Sequence, residues 1–193
     1  MSGVAALLLA AGEGRRMGRT KQLMDYQGRP LVVHALAALQ AGTGVRAHMV
    51  VGAEADVVAD ACAALAPVVV RNADWRVGMG RSLAVGMAAV LADAADVGLV
   101  LIALADQPLI RAEDYAGMLA CAEAHPGKVV AAAFGGRLGA PVVLPAGFVG
   151  LALAAEGDVG LRGWLAGMAD AVVGFDLPAA GMDLDVLGDL AGL

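Results

Sequence analysis

Leu7-Leu8-Leu9-Ala10-Ala11-Gly12-Glu13-Gly14-Arg15-Arg16-Met17-Gly18-Arg19-Thr20-Lys21 carries an apolar strand into a glycine-containing turn and then into four cations. Binding a polyphosphate beside a sheet edge requires this order of properties. Gly12, Gly14 and Gly18 are free to take positive φ and let backbone N–H groups approach phosphate oxygens, and Arg15, Arg16, Arg19 and Lys21 supply charge. Two familiar alternatives fail on spacing. A Walker A loop needs Gly-Lys-Ser/Thr, whereas Gly18 is followed by Arg19, and a G-x-G-x-x-G fingerprint would need glycine where Met17 stands. Read alone, the stretch also fits a solvated basic loop after a strand.

Outward from that turn, apolar runs alternate with helical patterns. Strands are expected at residues 4–9, 47–51, 68–70, 97–104, 129–133, 141–144 and 171–175. Helices are expected at 30–40, 54–65, 82–92 and 112–124, with short ones at 146–154 and 160–167 and a last turn at 187–192. In the third of these, 82–92, Leu83, Met87, Val90 and Leu91 recur at helical spacing. Apolar strands bounded by helices imply a doubly wound α/β fold, a mostly parallel sheet covered on both faces. Pro141 opens its strand in this reading, so an edge or antiparallel strand is expected there.

The chain has 193 residues with no break in composition, which fits one domain. Its 60% hydrophobic content is mostly small and aliphatic, with aromatics only 4%, so no large aromatic cluster organises the core. Residues 138–155 form the longest uncharged run but contain Pro141, Pro145, Gly147 and Gly150, so no membrane span is expected. The cations follow the N-terminal apolar stretch instead of preceding it, the wrong order for a secretory signal, and a cytoplasmic location is expected. Net charge is −6, which gives a nucleic-acid partner no electrostatic support. Yet Arg15, Arg16, Arg19, Lys21 and Arg29 crowd together, a basic site suited to a small polyanion. Cys62 and Cys121 read as small buried hydrophobes, and His34, His48 and His125 are given no chemistry.

In an open α/β sheet, ligands lie beyond the carboxyl ends of the strands where strand order reverses. That rule selects the 12–21 turn and Asp106, which ends a long apolar run. A carboxylate there must be paired, hydrogen-bonded or on a metal, or serve as a helix N-cap. Asp183-Leu184-Asp185 puts two acids on one face if extended, and otherwise reads as a solvated acidic loop. Ser82 reads as a helix cap.

Residues 9–21 resemble the LAAGxGxRMGxxK signature of the nucleotidyltransferases related to molybdenum cofactor cytidylyltransferase. Asn72-x-x-Trp75, Gly78-Met79-Gly80-x-Ser82-Leu83, Asp106-Gln107-Pro108, Gly139-x-Pro141, Gly157-Asp158-x-Gly160-x-Arg162 and Asp183-Leu184-Asp185 follow in that family's order. The resemblance implies transfer of CMP from CTP to the phosphate of molybdopterin or its molybdenum form, with release of pyrophosphate. It implies Arg16, Lys21 and Asp106 as catalytic residues and Mg²⁺ on Asp106 and Asp185. The nucleotide would lie on Leu9, Ala10, Ala11, Gly12, Gly14, Arg16, Lys21, Gly78, Gly80 and Ser82, and a pterin-phosphate acceptor on Asp158, Gly160 and Arg162. Ala11, where guanylyl-transferring members tend to carry glycine, favours CTP. A molybdenum hydroxylase would be the partner receiving the product.

The acceptor motifs depart from the family pattern. Gly-His-Pro is Gly139-Ala140-Pro141 here, DxDTPED retains only its acids, and Asp25 stands where proline is frequent. Three other readings therefore stay open: an NTP transferase for another phosphorylated acceptor, a nucleotide-binding maturation factor, and an NAD(P)H-dependent reductase on the same fold.

Overall fold

The computed structural model describes residues 3–13, 20–93, 96–157, 163, 165 and 167–182. In chain order, the main elements are strands β1 (Gly3–Ala10), β2 (Asp25–Tyr26) and β3 (Arg29–Pro30), then helix α1 (Leu31–Thr43) and strand β4 (His48–Val51). Helix α2 (Ala55–Ala61), strand β5 (Val68–Arg71), helix α3 (Met79–Asp93) and strand β6 (Val97–Leu104) follow. Helix α4 (Ala112–Ala124), strands β7 (Val129–Phe134) and β8 (Arg137–Pro145), helix α5 (Val149–Leu153) and strand β9 (Val172–Asp176) complete the described chain.

The main sheet has the order β5-β4-β1-β6-β8-β7-β9. β1 pairs in parallel with both β4 and β6, and β9 is parallel to β7, while β8 runs antiparallel to both its neighbours. The doubly wound, mostly parallel fold expected from the sequence is the fold observed.

Alternation along β1 divides the core in two. Ala6, Leu8 and Ala10 point to one face, where they join Leu36 and Leu39 of α1 and Tyr115 and Met118 of α4. Ala5, Leu7 and Leu9 point to the other, against Leu83, Met87 and Val90 of α3 and Ala152 of α5. Leu7, Leu8, Leu36, Leu39 and Met87 are fully buried. Burial of each such side chain contributes roughly 1.5–3 kcal/mol, which explains how a core with few aromatics holds together.

The antiparallel strand expected at Pro141 is present, but it is longer than residues 141–144 and lies inside the sheet rather than at an edge. Proline is tolerated there because the ladder breaks at that point. Ala131 pairs with Val142 and Ala132 with Gly139, leaving Ala140 and Pro141 in a bulge where no ladder N–H is required. The β2–β3 hairpin was not expected. Its two-residue turn, Gln27-Gly28, has φ of 52° and 82°, the positive pair that a tight hairpin turn requires. α3 starts earlier than residue 82, and the 54–65 helix splits into α2 and a 3-10 turn at Ala63–Leu65. The turn expected at 187–192 lies outside the described residues, as does most of the helix expected at 160–167.

Cys62 is buried, and burial pushes its thiol up to about 11, so it is unreactive packing. Cys121 is only half-buried and its Sγ lies 3.7 Å from His125 Nδ1, a contact not expected from the sequence. Among the described residues no group of His, Cys, Asp and Glu side chains is arranged to hold a metal by itself. No helix among them is long and apolar enough to cross a membrane.

Candidate functional site

β4 lies on one side of β1 and β6 on the other, so strand order reverses between β1 and β6. The crevice this leaves at their carboxyl ends opens into a cavity of about 500 Å³. One wall is the chain leaving β1, from Leu9 through Ala11, Gly12 and Glu13, continued by Lys21 and Gln22. A second wall is Trp75 to Met79 with Ser82, and Leu104, Ala105 and Asp106 close the third side at the end of β6.

Backbone bonds set these walls in register. Ala105 N–H donates to Leu9 O at 3.1 Å, and Ala53 N–H donates to Ala11 O at 3.1 Å. Both loops thus leave the sheet tied to β1. Gln22 Nε2 donates to Gly12 O at 2.7 Å, closing residues 12–22 back onto the strand end. Thr20, which is buried, donates through its hydroxyl to the Glu54 carboxylate and anchors the same segment to the start of α2. Gly12 is not among the residues of positive φ, contrary to the role expected for it. The Gln22 bond holds its carbonyl, and a Cβ there would meet Gln22 Nε2 at 3.6 Å, an ordinary contact.

The charged centre of the cavity is the pair Lys21 and Asp106. Nζ lies 3.7 Å from Oδ2, with side chains 20% and 37% exposed, so both groups reach solvent and any incoming ligand. The cation arrives by the turn after β1 and the anion by the turn after β6.

The second wall is built on two glycines and a tryptophan. Gly78 has φ 132°, a conformation that side chains resist, and it turns the chain from the 3-10 segment Trp75–Val77 into α3. The first turn of α3 therefore faces the cavity, and its amino end favours an anion there. Trp75 is seated on Gly52, where a Cβ would fall 2.5 Å from Trp75 Cβ. Arg76 lies over the Trp75 ring at 4.3 Å, a cation–π contact at the rim. Asn72, buried beneath, donates from Nδ2 to Ser82 Oγ at 3.0 Å and accepts from Asp74 N–H at 3.0 Å.

Of the residues expected from the sequence, Leu9, Ala11, Gly12, Lys21, Gly78, Ser82 and Asp106 come together on this cavity. Two do not line it. Ala10 points into the core on the α1 side, as strand alternation dictates. Gly80 is a packing glycine, since a Cβ would meet the Glu156 backbone at 2.8 Å, and its N–H donates to Gly157 O at 3.0 Å. Gly14, Arg16, Asp158, Gly160, Arg162 and Asp185 lie outside the described residues, as do Arg15, Gly18, Arg19 and Asp183.

Arg76, Gln22 and Glu13 line the cavity without having been singled out. A cation beside a tryptophan ahead of Gly78 was the available signal for Arg76. Nothing in the spacing marked Gln22. Asp106 offers the cavity carboxylate oxygens, hard donors of the kind Mg²⁺ takes, but among the described residues it belongs to no group that could hold a metal without further ligands.

A family model for the MobA-like NTP transferase domain matches residues 6–172. Nicotine blue oxidoreductase of Paenarthrobacter nicotinovorans is 37% identical over 172 residues, spanning 84% of this chain and 81% of that protein. The 2-C-methyl-D-erythritol 4-phosphate cytidylyltransferase of Rubrobacter xylanophilus is 48% identical over 54 residues, 28% of this chain and 23% of that protein. A solved structure of a nucleotidyl transferase from Methanothermobacter superposes with a TM-score of 0.78 at 21% identity, covering 98% of this chain and 95% of that one.

Proposed function

The chain belongs to the MobA-like NTP transferase domain family, and from that membership we propose that it transfers CMP from CTP to the phosphate of a molybdopterin-type acceptor, releasing pyrophosphate. The observation that carries the reading is the meeting of Lys21 and Asp106 over one cavity at the reversal of strand order. The likeness to a cytidylyltransferase over 54 residues, together with Ala11, supports CTP as donor.

Nucleotidyl transfer asks little covalent chemistry of a protein. An acceptor phosphate oxygen attacks the α-phosphorus, a new P–O bond forms, the α–β bridging P–O bond breaks, and pyrophosphate carries away the electron pair. Lys21 and the amino end of α3 bind and orient the triphosphate and offset charge that grows on the leaving group. Trp75 and the Gly78 turn form the wall beside the nucleoside, and Arg76 extends positive charge to its rim. An acceptor phosphate is already ionised, so no general base is required, in keeping with a cavity that no histidine lines. Asp106 would hold Mg²⁺, joined in this reading by Asp185, with Arg16 on the phosphates and Asp158, Gly160 and Arg162 on the acceptor. Bound there, Mg²⁺ supplies charge neutralisation at the phosphates. A molybdenum hydroxylase would be the recipient of the product.

Pyrophosphate release from each of the four NTPs, with and without pterin phosphate, tests the reading. Release only with CTP and the pterin supports it, and release with a sugar phosphate or alcohol phosphate moves the acceptor. Binding of CTP without turnover on any acceptor points to a maturation factor.

A second reading, NAD(P)H-dependent reduction in the same cavity, is favoured by the likeness to nicotine blue oxidoreductase, which is by name a redox enzyme. The missing third glycine of the dinucleotide fingerprint weighs against it. NAD(P)H oxidation with nicotine blue as substrate separates the two.

A further inference from the structure

Gln107 follows Asp106, yet it faces away from the cavity, is 6% exposed and does not line the cavity wall. Its Nε2 donates to Ala140 O at 3.0 Å and to Ala180 O at 2.9 Å. One carboxamide thereby joins three segments distant in sequence: the loop after β6, the bulge in β8, and the 3-10 turn Pro178–Gly181 that follows β9. We propose that Gln107 is a positioning residue that fixes the Asp106 carboxylate against the β8 bulge and the turn after β9; this rests on the nucleotidyl-transfer reading.

Each bond has a structural reason. Ala140 falls in the bulge, outside the paired register, so its carbonyl has no place in the ladder with β7. Ala180 belongs to a turn held over the end of β7 by Leu177 N–H to Ala133 O at 3.0 Å, and by Gly181 closing on the Phe134 ring. The two N–H donors of the amide nitrogen satisfy both buried carbonyls at once, whereas glutamate in its place would set oxygen against oxygen.

The consequence for Asp106 comes from the main chain. Asp106 stands between two anchors, the Ala105 N–H on Leu9 O and the Gln107 side chain. Losing the amide removes the ties to β8 and to the turn after β9 and leaves, on that side of Asp106, only the local turn bond from Ile110 N–H to Gln107 O at 3.4 Å. The walls that take the nucleotide, residues 9–12 and the start of α3, do not touch Gln107 through any side-chain hydrogen bond of the described residues. The effect should therefore fall on the carboxylate and on turnover and spare nucleotide binding.

The test compares the full-length wild type with Gln107→Met, which keeps shape and removes both donors, and Gln107→Glu, which reverses them. Gln107→Asn, with its donors one methylene short, replaces the Met variant if that variant fails to fold. Three measurements are made: thermal melting, the kcat and KM for CTP by pyrophosphate release, and Mn²⁺ affinity by paramagnetic resonance in the presence of CTP. The expected result for Gln107→Met is a kcat lowered about 10- to 100-fold, as for loss of an outer-shell partner or a displacement of about 1 Å. KM for CTP should change less than about twofold on the same argument of spared nucleotide walls, Mn²⁺ binding should weaken, and Gln107→Glu should be worse in each respect. A lowered melting temperature with wild-type kcat and wild-type Mn²⁺ affinity would overturn the proposal, leaving Gln107 a structural tie. If the wild type releases pyrophosphate from no NTP, the transferase reading fails on that result. Mn²⁺ affinity then decides Gln107 by itself, and equal affinity in wild type and variant, or none in either, overturns the positioning role.

Discussion

Lys21 and Asp106 oppose each other at 3.7 Å across the crevice between β1 and β6, and both side chains reach solvent. An ion pair this exposed is worth about 0–1 kcal/mol, so a triphosphate can take the ammonium at little cost. The carboxylate is then released to a cation. The pair is a resting arrangement of two groups that in the proposed reaction serve different ligands.

Asp106→Ala is expected to abolish pyrophosphate release while leaving the fold intact, because Asp106 lies in the turn after β6, is partly exposed and belongs to neither core cluster. Steady-state rates alongside a melting curve check this. Wild-type turnover in the variant would remove Asp106 from the site.

For Lys21→Ala the expected loss is about two to three orders of magnitude in rate, the usual effect of deleting one electrostatic contact to developing charge. The loss should appear in kcat and in kcat/KM for the acceptor alike. A variant within threefold or so of wild type would contradict the role on the same scale.

Gly52→Ala should destabilise the protein by roughly 1–3 kcal/mol, the typical cost of overpacking. The new methyl meets Trp75 Cβ and Cγ at 2.5 and 2.7 Å and Ala11 O at 2.8 Å, all parts of the cavity wall. Denaturant unfolding gives the stability, and quenching of Trp75 by CTP, read in a Trp164→Phe background, should weaken in parallel. An unchanged midpoint would show that the wall yields freely.

Acidification should weaken the fold through His48. Desolvation by burial lowers its pKa below the ordinary 6.5, and Arg46 adds to this while the Asp93 carboxylate opposes it. The folded state therefore prefers neutral imidazole. Above 6.5 both states are neutral and His48 has no effect; as pH falls below 6.5 the unfolded chain takes the proton first and stability drops. His48→Gln should flatten the part of the curve that falls below about pH 6.5. Identical melting profiles for wild type and variant would dismiss the contribution.

Much of this molecule is legible in its sequence, for physical reasons that differ by element. β1 and β6 are continuous apolar runs because parallel strands here are buried on both faces, and their turns carry Gly12 and Asp106 because strand order reverses between them. Two-residue strands such as β2 and β3 show no period, so the hairpin was hidden even though Gln27-Gly28 hints at its turn. Pro141 suggested an edge because a missing N–H is cheapest there; a bulge solves the same problem inside a sheet, and no local pattern distinguishes the two. Trp75 sits where it does because Gly52, from a different loop, leaves room for it. Gly80 matched the spacing of a ligand-lining glycine, yet its closeness is to the Glu156 backbone. Such contacts across the chain are set by packing, which spacing does not encode.

β6 borders β1 on one side and β8 on the other. The nucleotide half of the crevice hangs from the first neighbour, and the bulge with its Gln107 clasp from the second. Chemistry and recognition are thereby mounted on separate hinges of one shared strand. Substitutions that reshape the bulge at Ala140 should lower turnover while CTP affinity, followed by titration, stays put.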